Sequence, residues 1–191
     1  MPDIEKQQLI YHLTSLENMR GILKQGLLPR SKLNDPFKDV ADQEIIGERK
    51  AYELEKYVPF HWFAKNPFDG RVQKDRPSDN FVLIAVSRSL AERNNWKIIP
   101  QHPLSKGGKI QVLDYKNGFE KINWEVMNKR DYSDAECKSV CMSECLSPDE
   151  VPVGSFHSLY VKSQEVRGVV CGILKEYRIE HRVNINGHMF I

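Results

Sequence analysis

At 191 residues, 40% of them hydrophobic and 28% charged, the chain has the makeup of a single globular domain, too short for two enzymatic domains joined by a linker. A net charge of +2 excludes the strong overall basicity that would mark a nucleic-acid protein by charge alone. The opening "MPDIEKQQ" lacks the basic and apolar regions of a signal peptide, and runs such as "FVLIAV" fall far short of a membrane span, so a cytoplasmic protein with no membrane association is expected.

In chain order, Leu9 to Thr14 has the β-branched and apolar content of a first strand, interrupted by His12. His12 and Thr14 share a face by the two-residue period. Ser15 has the short hydroxyl that caps a helix, Leu16, Met19, Ile22 and Leu23 give that helix an apolar face, and Gly26 ends it. "PRSKLNDPFKDVADQ" reads as a loop and "EIIGERKAYELEKY" as helical apart from Gly47. "VPFHWFA" is an aromatic strand, followed by the polar stretch "KNPFDGRVQKDRPSDN", read as a long loop, and by the strand "FVLIAVSR".

"SLAERNNW" begins with a capping serine and makes a short helix, and "PQHPLSKGGKIQVLDY" returns through turns with at most one short strand. From Phe119 to about Leu146 the composition is helical, with a break near Asp131 to Ser133. "FHSLYVKS" alternates as a strand, and Ser163 caps a last helix with Val166, Val170, Ile173, Leu174 and Tyr177 on one stripe. "HRVNIN" and "HMFI" close the chain as short strands. The fold class that follows is α+β, a mixed, twisted sheet of five or six strands flanked by helices, without a Rossmann fingerprint or a P-loop.

Cys137, Cys141, Cys145 and Cys171 form no CxxC pair. The first three are four residues apart and so fall on one face of the expected helix, where packing as small buried thiols is favoured over zinc or redox chemistry. Lys65, Arg71, Lys74 and Arg76 cluster in the expected long loop around Phe68, a pattern suited to phosphates and one splayed base, though Asp69, Asp75 and Asp79 dilute it.

Three pieces taken in order, "YHLTSLENMRGILKQGLL", then "EIIGERKAYELEKYVPFHWFAKNPF", then "INWEVMNKRDY" with "MSECLSPDEVP" and "FHSLYVKS", resemble the DarT family of nucleic-acid ADP-ribosyltransferases. The resemblance implies one ADP-ribosyltransferase-like domain over 1–191 with an NAD cleft, NAD as co-substrate, and transfer to a base in single-stranded nucleic acid, DNA favoured over RNA. It also implies a toxin of a toxin–antitoxin or phage-defence system, with a cognate antitoxin that is an ADP-ribosyl hydrolase or an inhibitory protein as partner.

On the same resemblance Glu144 is the catalytic carboxylate, with Glu136 as its rival, and Arg49 is an active-site guanidinium. His12, Thr14 and Asn18 are placed at the NAD. His12 also admits the reading of a partly buried ring satisfied by a neighbouring carbonyl. Tyr57, Phe60, Trp62 and Phe63 are either stacking platforms or core.

Overall fold

The computed structural model describes residues 3–33, 37, 38, 47, 50, 52–102 and 110–191. Its strands are β1 Leu9–Ser15, β2 Val58–His61, β3 Phe81–Ser87, β4 Lys97–Ile99, β5 Glu144–Ser147, β6 Ser158–Val161 and β7 Val183–Ile185. They form one seven-stranded sheet in the order β4-β5-β2-β1-β3-β6-β7, antiparallel except for the β6–β7 pair. The expected class is therefore met with seven strands rather than five or six; β4 at one edge and β5 beside it are the strands that the sequence reading did not anticipate. "HMFI" is not a strand, since Gly187–Met189 turns as a short 3-10 helix.

The helices are α1 Met19–Gln25, α2 Pro67–Asp75, α3 Arg88–Arg93, α4 Tyr115–Lys121, α5 Trp124–Lys129, α6 Ala135–Cys141 and α7 Gln164–Glu176. Strand β3 shows why one apolar run lies at the centre. Val82, Ile84 and Val86 pack into the larger core with Met19 and Leu23 of α1 and Val170 and Leu174 of α7. Phe81 and Leu83 face the opposite core with Leu13, Val72 and Phe190. A strand covered on both faces needs apolar side chains at every position, which is what "FVLIAV" provides.

Three local expectations change. The stretch read as a long loop contains α2: Asn66 accepts the Asp69 amide as its cap, Pro67 occupies the first turn, and Asp69, Val72 and Gln73 turn inward. Asn followed by Pro is a helix-start signal, and the abundance of polar residues hid it. The helical stretch expected to reach Leu146 ends at Cys141, because Glu144–Ser147 gains ladder partners on both sides, β2 and β4. The cap of α3 is Ser87, whose hydroxyl accepts the Leu90 amide.

Cys145 accordingly leaves the cysteine face and lies in the sheet opposite Phe60 and Ile98. Cys137 and Cys141 stay on α6, buried, with sulfurs 4.0 Å apart and directed at the Val126 and Met127 carbonyls. Burial pushes the Cys141 thiol up to about 12 and raises that of Cys145 as well, so both are protonated and inert at neutral pH.

Helix α1 stops where Gly26 takes φ 80° and its amide donates to the Ile22 carbonyl. Leu27 then exchanges two backbone hydrogen bonds with Val151, at 2.9 and 2.8 Å. A β-carbon on Gly26 would stand 2.7 Å from the Val151 carbonyl oxygen, in a backbone conformation that L residues avoid. Gly26→Ala is expected to lower the unfolding free energy by about 1–3 kcal/mol, read as a lower urea midpoint with an unchanged slope.

Candidate active site

Strand β1 matches β3 at seven successive positions, from Leu9 opposite Ser87 to Ser15 opposite Phe81. Against β2 it makes the single pair Tyr11 with His61. The His12 side chain reaches across to β2, with Nδ1 2.8 Å from the Pro59 carbonyl oxygen. A carbonyl only accepts, so Nδ1 carries a proton and donates it to Pro59. The carbonyl-satisfied histidine and the cleft-lining histidine are thus one and the same residue.

A cleft of 260 Å³ is lined by His12, Thr14, Asn18, His61, Phe68 and Glu144, among others. Glu144 opens β5 at 7% exposure, in register with His61 on β2 and Ile99 on β4. Its position is set by the residue before it. Trp62 Nε1 donates to Ser143 Oγ at 2.9 Å, and Ser143 Oγ donates to the Ile99 carbonyl at 2.7 Å, tying three strands together where Glu144 begins. The rival Glu136 stands exposed in the first turn of α6 and does not line the cleft.

Asn18 has a different setting from a bare ligand contact. Its Nδ2 donates to Thr14 Oγ1 at 3.2 Å and to the Lys38 carbonyl at 2.9 Å, while its Oδ1 accepts the Lys38 amide at 2.7 Å. The side chain therefore clamps the backbone at Lys38 to the cleft wall. The Lys38 ammonium reinforces the clamp through Glu17 at 2.6 Å and Asp79 at 3.0 Å, carboxylates that raise its pKa. Arg49 lies outside the described residues; the cations among the described lining residues are Arg30 and Lys38.

The four basic candidates do not surround Phe68 on a loop. Lys65 precedes α2, Arg71 and Lys74 are exposed on it, and Arg76 is half-buried at its end. Phe68 turns the other way and stacks on His61, centroids 5.6 Å apart and planes at 27°. The helix thus carries the aromatic into the cleft and the cations outward, with Arg71 paired to Asp75 at 3.5 Å. Phe60, Trp62 and Phe63 are core, Trp62 lying edge-on to Phe119 and Trp124, whereas Tyr57 lines the cleft.

Beside Phe68, Asp69 is fully buried, and the Asn66 side chain and the Lys65 amide approach its carboxylate without completing a well-formed hydrogen bond, so they offset only part of the cost of burial. Burial pushes its carboxyl up to about 8 from 3.8. Between those values the native state holds a proton that the unfolded chain has released, so stability falls as pH rises from about 4 to about 8. Asp69→Asn is expected to be neutral at pH 4 and increasingly stabilising toward pH 8, by at most about 1.4 kcal/mol per pH unit. Urea unfolding at the two pH values measures it.

Residues 11–191 match the family described as "ssDNA thymidine ADP-ribosyltransferase, DarT". The chain belongs to the DarT family. It is 25% identical over 172 residues to a DNA ADP-ribosyl transferase–DNA ADP-ribosyl glycohydrolase fusion protein of Thermosipho africanus, with 82% of the chain aligned. The chain spans 43% of that relative's length. It is 24% identical over 187 residues to a DNA ADP-ribosyl transferase of Thermus aquaticus, covering 88% of the chain and 82% of the relative.

The fold is that of Thermus sp. 2.9 DarT in complex with ADP-ribosylated ssDNA, with a TM-score of 0.83, 20% identity and 96% of each chain covered. For the same protein in complex with NAD+ the TM-score is 0.79 at 18% identity, over 97% and 98% of the two chains. In this DarT-family chain the expected carboxylate and the first-strand residues meet in one cleft, together with Phe68, which sequence reasoning placed among the basic residues, and with His61 and His102, which it did not single out. His61 sits inside the quoted motif "VPFHWFA", but its approach to Glu144 depends on the β2–β5 register, which no local pattern encodes.

Proposed function

We propose that the chain, as one ADP-ribosyltransferase-like domain over 1–191, transfers ADP-ribose from NAD to the thymine base of single-stranded DNA. The reading rests above all on the convergence of His12, Thr14 and Glu144 on one cleft in a DarT-family chain. The lining residues suit NAD. Carboxylate and imidazole acceptors with the Thr14 hydroxyl match ribose hydroxyls, Leu13, Ile22 and Leu28 offer apolar wall to a flat ring, and Arg30 and Lys38 are cations for a diphosphate. NAD supplies the ADP-ribosyl group and nicotinamide as leaving group.

Glu144 hydrogen-bonds the nicotinamide-side ribose, and its fixed negative charge favours the positive charge that develops at C1 and the ring oxygen. His12 accepts a ribose hydroxyl through Nε2, held in place by its Nδ1–Pro59 bond. Asn18 positions the wall around Lys38, and Arg49 contacts the diphosphate or the acceptor base. Lys65, Arg71, Lys74 and Arg76 hold the strand's phosphates beside α2. A single strand is required because the reacting edge of thymine is occupied in a duplex.

No helix among the described residues is long and apolar enough to cross a membrane. We place the protein in the cytoplasm, where NAD and transiently single-stranded DNA coexist, as the toxin of a toxin–antitoxin or phage-defence pair whose antitoxin removes the ADP-ribose or blocks the cleft. The test incubates purified protein and labelled NAD with matched single-stranded DNA, duplex DNA and RNA oligonucleotides, followed by nucleoside mass spectrometry. Label on thymidine from the single strand is the expected result. Label on RNA alone, on protein alone, or on no acceptor overturns the reading.

A further inference from the structure

We infer that α2 is a movable element on the DNA side of the cleft, and that its seating against the sheet is coupled to a proton held by Asp69. The inference rests on the reading above, in which α2 brings Phe68 to the cleft and its outward cations to the strand.

The seat of α2 is built differently from the rest of the core. Of the residues the helix buries, Val72 alone is apolar, and Asp69 and Gln73 are the others. Val72 enters the smaller core with Leu13, Phe81, Leu83 and Phe190, apart from the larger core that α1 and α7 close over the opposite face of the sheet. Polar contacts supply the remaining hold. Asn66, fully buried, caps the helix and donates through Nδ2 to the Phe63 carbonyl at 3.2 Å. Gln73 Nε2 donates to the Asp69 carbonyl at 3.1 Å, and Gln73 Oε1 accepts the Ile191 amide at 3.1 Å. The Tyr132 hydroxyl donates to the Lys65 carbonyl at 2.9 Å just before the helix, where Lys65 takes φ 60°. A helix of nine residues with one buried apolar anchor and a tether at each end gains little from burial, which puts it among the elements that open before the whole domain does.

Asp69 makes that opening depend on protons. Its carboxyl lies in the buried face at 1% exposure, where an ionised group loses its hydration without a full set of donors to replace it. Seated, the group keeps its proton up to about pH 8; open to water, it ionises at the ordinary 3.8. Opening therefore releases a proton between those values, so the opening constant rises by up to about tenfold per pH unit across that window and levels off above it. The other ionisable groups around the seat are Lys65, Arg71, Lys74 and Asp75 on α2 or at its start, and Arg130 and Tyr132 in the turn after α5. The sheet adds Tyr11, His61 and Tyr160, and Lys162 reaches the Ile191 carbonyl. Burial raises the Tyr11 and Tyr132 hydroxyls and the Cys141 thiol near Tyr132 beyond the window, and every group other than Asp69 keeps its response in Asp69→Asn. As α2 opens, Phe68 leaves His61 and the outward cations lose their fixed relation to the cleft, whereas His12, Thr14 and Glu144, assigned to NAD, stay on β1 and β5.

The test follows backbone hydrogen exchange by mass spectrometry in wild type, Asp69→Asn and Asp75→Asn from about pH 5 to about pH 8, with protection referred to the intrinsic exchange rate at each pH. In wild type, peptides over α2 are expected to be less protected than those over β3 and to lose protection by up to about tenfold per pH unit. Asp69→Asn should remove that decline, and Asp75→Asn, exposed on the same helix, should keep it. Equal protection of α2 and β3, or a decline that survives in Asp69→Asn, overturns the proposal. If Asp69→Asn does not fold, wild type and Asp75→Asn decide it, since α2 protection that holds steady over this range overturns it as well. With NAD saturating, the ratio of wild-type to Asp69→Asn transfer on single-stranded DNA is expected to fall severalfold as pH rises over the same range, at equal NAD affinity; a constant ratio overturns the link to DNA. A wild type that labels no strand at any pH overturns the thymine-transfer reading, and the exchange measurement, which needs no DNA, still judges the helix.

Discussion

Glu144→Gln is expected to lower ADP-ribosyl transfer by roughly 10²–10³-fold, about 3–4 kcal/mol of transition-state stabilisation, in line with the loss of a preorganised electrostatic partner. The substitution keeps the shape of a side chain that is 7% exposed at the first position of β5, and it leaves the Trp62–Ser143–Ile99 chain intact. What it removes is the carboxylate that the proposed transfer uses. The effect belongs in kcat, because the charge it opposes develops only as the bond to nicotinamide breaks. NAD affinity and the urea midpoint should stay close to wild type. Glu136→Gln, exposed on α6, should leave the rate unchanged. A Glu144→Gln protein that turns over at the wild-type rate would remove this carboxylate from the chemistry.

The second large effect falls on stability. Arg88 is 6% exposed at the start of α3, and its guanidinium donates to the Glu5, Trp62 and Leu9 carbonyls at 2.9, 3.2 and 3.3 Å. Its Cζ lies 4.9 Å from the Trp62 ring centroid and 5.7 Å from that of Trp124. Burial pulls its pKa down to about 10, so it remains charged at neutral pH, with carbonyl dipoles and indole faces around it.

Arg88→Ala leaves three carbonyls without this donor and a void between two indoles, at about 1–3 kcal/mol for each buried group left unpaired. Relief of the buried cation offsets part of that loss, so the net expectation is a destabilisation of roughly 3 kcal/mol. Arg88→Lys should recover only a fraction, because an ammonium cannot reproduce the planar fork that reaches three acceptors on separate segments. Urea unfolding of the three proteins decides it; equal midpoints would show that the guanidinium contacts contribute nothing net.

The elements most legible in the sequence are those whose cause is local. Leu9–Ser15, the Ser15 cap, the Gly26 stop, Phe81–Ser87, the Ser163 cap and the stripe of α7 follow from side-chain periodicity and from hydroxyls beside free amides. Where local and non-local causes compete, sequence reasoning fails. Helical composition runs on through Glu144, yet two neighbouring strands draw that segment into the sheet. The polar surface of α2 looks like a loop until its inward face, Asp69, Val72 and Gln73, is seen.

By itself, the sequence determined the α+β class, the family and the residue types a transferase of this kind requires, because periodicity, caps and ordered motifs are written in contiguous residues. Only the tertiary structure decided that β1 and β2 share the single pair Tyr11 with His61, that Glu144 rather than Glu136 lines the cleft, and that His61 stands across from it. Strand register is set by contacts between residues more than 80 positions apart, such as the hydrogen bond from Trp62 to Ser143, and that information is spread over the whole chain rather than carried by any one stretch of it.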